Sequence, residues 1–260
     1  MESFNKLIEI IKILRSPNGC PWDREQNLYS LKNSMIEEAS ELLDALDNKD
    51  INNIREELGD LLLHIVFHSQ IASEEGYFSI DDVVFGINNK LIRRHPHVFD
   101  KESIKTAEEV MVRWHQIKEE ENKGKEKPKS ILDKVPKNLP SVMQAEKLQK
   151  KAAKAGFDWD NVNCIFEKIE EELRELKEAC NNENKENIQE EIGDFFFSVI
   201  NLARHLKVDS DEAVRMCNKK FRNRFAFIEE NLAKENKSIN DTSIEEMDLL
   251  WNKAKKEGIK

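Results

Sequence analysis

Glycine and proline are scarce in this 260-residue chain, at 8 and 6 residues. Against a background rich in Leu, Ile, Glu and Lys, that scarcity suits helices better than turn-rich sheets. The four cysteines, Cys20, Cys164, Cys180 and Cys217, are scattered with no CxxC pair, so they read as reduced thiols rather than a disulfide framework. Apolar runs fall far short of the ~20 residues a membrane span needs, and no apolar leader-like stretch follows the start. The expected location is therefore cytoplasmic, with no membrane partner. Positive charge is also in deficit: 41 Lys and Arg against 51 Asp and Glu leave a net charge of −10, which argues against stable nucleic-acid binding. The P-loop pattern GxxxxGK[ST] does not occur, separating the chain from NTPases that release the γ-phosphate. No Ser-His-Asp arrangement is apparent.

What is present is a repeat. IEEASELLDAL (36–46) followed by REELGDLLLHI (55–65) returns as EEELRELKEAC (170–180) followed by QEEIGDFFFSV (189–199). At a constant offset, Glu38, Glu41, Glu57 and Asp60 become Glu172, Glu175, Glu191 and Asp194. Trp22-Asp23 matches Trp159-Asp160, Lys90 and Arg94 match Lys220 and Arg224, and Trp114 with Lys118 matches Trp251 with Lys255. Each half reads as about four helices with an acidic hairpin in the middle. The expected domains are 1–120 and 131–260. The charged segment 118–130, KEEENKGKEKPKS, lies between them as a linker or frayed helix end.

Helical spacing gives the repeat a geometry. Residues three apart share a face, so Glu172 and Glu175 point one way, as do Glu191 and Asp194. The polar NNENKEN (181–187) between the pairs reads as a turn. Antiparallel helices folded about residue 183 set Glu175 opposite Glu191 and Glu172 opposite Asp194. Folding the first copy about Lys49 sets Glu41 opposite Glu57 and Glu38 opposite Asp60. At ~1.5 Å rise per residue, the two rungs are about one turn apart.

Four converging carboxylates repel and raise one another's pKa, so they call for a cation. Mg²⁺, with Mn²⁺ as a substitute, suits an all-oxygen set. Zinc is disfavoured because no His or Cys stands at ligand spacing there, and a di-iron bundle because Glu-x-x-His is missing. Runs of Glu on helices are ordinarily solvated faces. The matched second pair, the Gly-Asp beside apolar runs and the repetition set these apart.

Together GCPWDREQNLYSL (19–31), the two acidic motifs, KLIRRHPHVF (90–99), KAGFDWDN (154–161) and NLARHL (201–206) resemble the MazG nucleoside triphosphate pyrophosphohydrolase family over nearly the whole chain. The resemblance implies an all-α fold of two tandem MazG-like domains, Mg²⁺ dependence, a homodimer, and hydrolysis of nucleoside triphosphates to monophosphate and pyrophosphate. It places the metal ligands on Glu172, Glu175, Glu191 and Asp194, with counterparts on Glu38, Glu41, Glu57 and Asp60, and credits the C-terminal half with hydrolysis. The chain departs from the family in having Asn27-Leu28 where Thr-His usually follows Glu-Gln. A hydrolase narrowed to one nucleotide such as dUTP, or a non-catalytic helical scaffold, would carry many of the same acids.

Four further residues are expected at the substrate. Lys220 and Arg224, one turn apart, would meet phosphate, Arg through its bidentate fork. Asn201 lies two turns after Asp194 in an otherwise apolar segment, where a buried amide needs a partner such as a sugar or base. Its first-half counterpart is Phe67, so the halves are not expected to be equivalent. Trp159, like Trp22, offers a ring to a base or closes a core. His64 and His68, spaced i, i+4, lack a third ligand and receive no role.

Overall fold

The computed structural model describes residues 2–100, 104, 106–121 and 129–260, except the side chains of His115 and Glu119. Among the described residues all regular structure is helical. The chain divides into two compact units, Met1–Lys125 and Glu126–Lys260. Residues 118–120 of the expected linker finish a helix, and 122–128 lie outside the described residues.

The first unit contains α1 (Glu2–Leu14), α2 (Pro21–Glu25), α3 (Lys32–Asn48), α4 (Ile51–Glu74), α5 (Ile80–Arg94), α6 (Pro96–Phe99) and α7 (Ala107–Glu120). The second contains α8 (Ser141–Lys154), α9 (Val162–Asn181), α10 (Lys185–His205), α11 (Ser210–Lys234) and α12 (Ile244–Lys256), with 3₁₀ turns at Ile131–Lys134 and Ile239–Asp241. Each unit thus adds one long helix to the four around its hairpin. In the first, α3 packs along α4, α1 and α5 flank α4, and α7 lies on α5. In the second, α9 packs along α10, α8 supports α10 and α11, and α12 lies on α11.

The hairpin turns are built alike. Lys49 and Glu183 both take left-handed φ, 56° and 55°. The next residue caps the following helix: Asp50 accepts from the amides of Asn52 and Asn53, and Asn184 from those of Glu186 and Asn187. Such caps satisfy amides that have no partner within the helix. The pivots expected from the sequence are therefore the residues at which the chain reverses.

The first unit's core gathers Ile11, Leu31, Val66, Phe67 and Ile71, each at most 5% exposed. Burial of a side chain of this size contributes roughly 1.5–3 kcal/mol. The second unit buries Ile165, Ile228, Leu232 and Ala254.

Candidate functional site

Each hairpin brings its acids together. Carboxylate oxygens of Glu38, Glu41 and Glu57 all lie within 4.8 Å of one another, and so do those of Glu172, Glu175 and Glu191. Asp60 and Asp194 stand outside these trios but within electrostatic reach. Burial, then Asp60, Glu41 and Glu37, raises the pKa of Glu38. Burial, then Glu41, Asp60, Glu38 and Glu56, raises that of Glu57. Burial, then Glu175, Glu172, Asp194 and Glu190, raises that of Glu191.

The donor set fits a hard divalent cation. Each trio offers only carboxylate oxygens, the ligands Mg²⁺ and Mn²⁺ prefer. Glu57 is 6% exposed, and its Oε2 is buried without a hydrogen-bond partner. An ionised oxygen in that state is costly unless a cation completes it. A Cβ at Gly59 or Gly193 would meet nothing within 4 Å, so the helix surface beside the acids is open.

Two of the residues expected at the substrate, Asn201 and Arg224, have partners of their own. Asn201 Oδ1 accepts from Arg204 on its own helix, from Nε at 3.0 Å and from an Nη at 2.8 Å. Arg204 in turn grips Asp158 through both Nη atoms, and His205 joins the same carboxylate at 3.1 Å. The Arg204 bond, followed by those from His205 and the Trp159 amide and opposed by burial, lowers the pKa of Asp158 to about 2. The amide oxygen of Asn201 is thus used within the protein, and the result is a clamp on the residue before Trp159. Trp159 is 42% exposed and Trp22 61%, so neither ring closes a core.

The first unit makes the equivalent tie in the opposite sense. Phe67, at the position of Asn201, lies under the Arg15 guanidinium, 5.4 Å from carbon to ring centroid. Arg15 pairs with Glu74 at 2.7 Å and donates to the carbonyls of Asp23 and Gln26. Phe67 therefore carries a cation of its own and is more than a lost polar contact.

Arg224 sits 5.5 Å from the Trp251 ring, and its Nε donates to the Ile259 carbonyl at 3.0 Å. Arg94 sits 5.2 Å from Trp114 in the same way. Lys118 and Lys255 approach the same two rings at 5.0 and 6.0 Å. The repeated Arg, Trp and Lys are thus one cation–π cluster in each unit, holding α7 to α5 and α12 to α11. Lys220, a turn before Arg224, is exposed.

Sequence reasoning passed over Lys168, whose Nζ lies 2.8 Å from Glu172 Oε1 and 2.9 Å from Glu171 Oε1. It also passed over the contact of Ser34 Oγ with His64 Nε2 at 3.2 Å. Both lie one further turn along the same hairpins. The antiparallel pairing that located the acids, carried on by one rung, leads to them.

Comparison with known proteins bears on the same residues. The MazG nucleotide pyrophosphohydrolase domain matches residues 26–99 and again 161–226, so each acidic hairpin falls within a match. The chain is 44% identical over 97% of its length to the nucleoside triphosphate pyrophosphohydrolase/pyrophosphatase MazG of Thermotoga maritima, covering 95% of that protein. It is 40% identical over its full length to the nucleoside triphosphate pyrophosphohydrolase of Escherichia coli K12, covering 99% of it. It is 48% identical over 97% of its length to the uncharacterized protein YabN of Bacillus subtilis, of which it spans 51%.

Proposed function

The chain belongs to the MazG nucleotide pyrophosphohydrolase family, and from that premise we propose that it hydrolyses nucleoside triphosphates to the monophosphate and pyrophosphate in the cytoplasm. It is a hydrolase of acid anhydrides. The observation that carries the reading is the doubled acidic hairpin, whose all-carboxylate trios have the spacing to hold a cation.

Glu172, Glu175, Glu191 and Asp194 would hold Mg²⁺ in the catalytic half, and Glu38, Glu41, Glu57 and Asp60 would hold it in the other. A bound divalent cation would polarise the phosphate oxygens and lower the pKa of a nearby water. Glu175 or Glu172 orients the attacking water and takes its proton. A bond forms between the water oxygen and the α-phosphorus. The bond from that phosphorus to the bridging oxygen breaks, and pyrophosphate leaves with the electron pair. Lys220 supplies positive charge to the triphosphate, with Arg224 beside it in a position set by Trp251 and Ile259. Trp159 offers its exposed ring to the base. Asn201 acts one step back, positioning Arg204 and through it Asp158 and the Trp159 segment.

The working unit is a homodimer. Leu58, Leu62 and Ile65 on α4 and their repeat counterparts Ile192, Phe196 and Val199 on α10 are between 37% and 61% exposed. Spaced i, i+4, i+7, each set forms a stripe that a second copy would cover. No helix among the described residues is long and apolar enough to cross a membrane.

The test is product analysis with several nucleoside triphosphates and Mg²⁺. Monophosphate with pyrophosphate, abolished by EDTA, is the expected outcome. Diphosphate with orthophosphate as main products would overturn the reading.

A further inference from the structure

The rung next to the acids differs between the halves. In the second unit Lys168 reaches forward along α9 to Glu171 and Glu172, so that cluster holds an ammonium of its own. In the first unit the corresponding position is Ser34, bonded to His64. Among the described residues no Lys or Arg pairs with Glu38, Glu41, Glu57 or Asp60. Nor does His64 pair with these acids: its Nε2 meets Ser34 Oγ, and its buried Nδ1 has no hydrogen-bond partner.

The two clusters therefore start from different charge states. The first has four acids and no resident cation, and it carries the buried, unpartnered Glu57 Oε2. The second already has one of its most buried carboxylates, the 5%-exposed Glu172, neutralised by an ammonium. A divalent ion entering there must face or displace that ammonium. Repulsion from one fixed charge at contact distance, screened by partial exposure, weakens binding by on the order of tenfold.

We infer that the third rung divides the work of the two hairpins: the first is a standing divalent-cation site that fastens α3 to α4, and the second, through Lys168, is an exchanging site that holds a cation weakly on its own. This rests on the reading of both clusters as Mg²⁺ or Mn²⁺ sites. Lys168 acts here as a positioning charge and takes no part in the bond-breaking step.

Mn²⁺ binding to the full chain without nucleotide, followed by the loss of the free-ion electron paramagnetic resonance signal, tests the division. Two classes of site are expected per chain. Glu57→Gln should remove the tighter class. Ser34→Lys should weaken it by about tenfold, and Lys168→Gln should tighten the weaker class by a similar factor. Lys168→Arg, which keeps the charge, should leave the weaker class as it was. The Lys168 side chain is one-third exposed, so its variants carry the test if Ser34→Lys misfolds. Two sites of equal affinity, or classes that ignore Lys168→Gln, would overturn the division and leave the metal reading standing. Absence of Mn²⁺ binding at both clusters would overturn both.

Discussion

Replacing Asp158 by Asn keeps the shape of the clamp and removes its charge. In the wild type the carboxylate falls from an ordinary 3.8 to about 2. At ~1.4 kcal/mol per pH unit, that corresponds to an upper bound of about 2.4 kcal/mol. The side chain is 31% exposed, so solvent screening reduces this to on the order of 1 kcal/mol. The same figure covers the 11%-exposed Arg204, which loses its charged partner and keeps Asn201 and a neutral amide. A loss of on the order of 1 kcal/mol would lower the melting temperature by roughly 2–4 °C. The sign with pH follows from the direction of the shift. A carboxylate whose pKa is depressed in the fold contributes fully above its unfolded value and loses that contribution as pH falls through the folded one. Urea titrations at several pH values should therefore show a gap between wild type and Asp158→Asn that is constant above pH ~5 and closes between pH ~4 and ~2. Equal stability at pH 7, or a gap that stays open through that window, would refute the reasoning.

Glu172→Ala or Asp194→Ala should reduce turnover by roughly a hundredfold or more with helicity intact. Glu38→Ala or Asp60→Ala should cost much less activity and act through stability; equal losses, measured under saturating Mg²⁺ with circular dichroism as control, would remove the asymmetry between the halves. The raised pKa values of Glu38, Glu57 and Glu191 mean that these groups favour the fold fully below their unfolded value and oppose it as pH rises through the folded one. Mg²⁺ should accordingly raise the melting temperature more at pH 7.5 than at pH 5, and a thermal scan with equal gains at both would contradict this. Light scattering at micromolar concentration should give twice the 30.4 kDa chain mass, and Phe196→Glu should shift the protein toward monomer.

The hairpins were legible because helix periodicity and one short turn determine them without reference to the rest of the chain. Their pivots and rungs follow from spacing alone. Arg15 and Arg204 were not, since their partners Glu74 and Asp158 stand 59 and 46 residues away, and partner choice at that range depends on packing. Asn201 was noticed for a sound reason, a polar group in an apolar stretch, but its bond to Arg204 one turn on competes with any ligand. The pairing of Arg224 with Trp251 lay hidden although both residues were seen to repeat, because repetition reveals equivalence and says nothing of contact. Lys168 was readable four positions before Glu172; a search confined to acids passes over the base beside them.

The left-handed residues Lys49 and Glu183 have a consequence for how such a chain can change. Each turn fixes the phase of one helix against the other within its own hairpin. An insertion of one residue in the turn would rotate every downstream position by ~100° about the helix axis and scatter all the rungs at once. Substitution at a single rung leaves the others aligned. The hairpin is thus rigid to changes in length and permissive to changes in identity. A duplicated copy can exchange Lys for Ser, or Asn for Phe, one crossbar at a time, and diverge in chemistry while its skeleton stays superimposable.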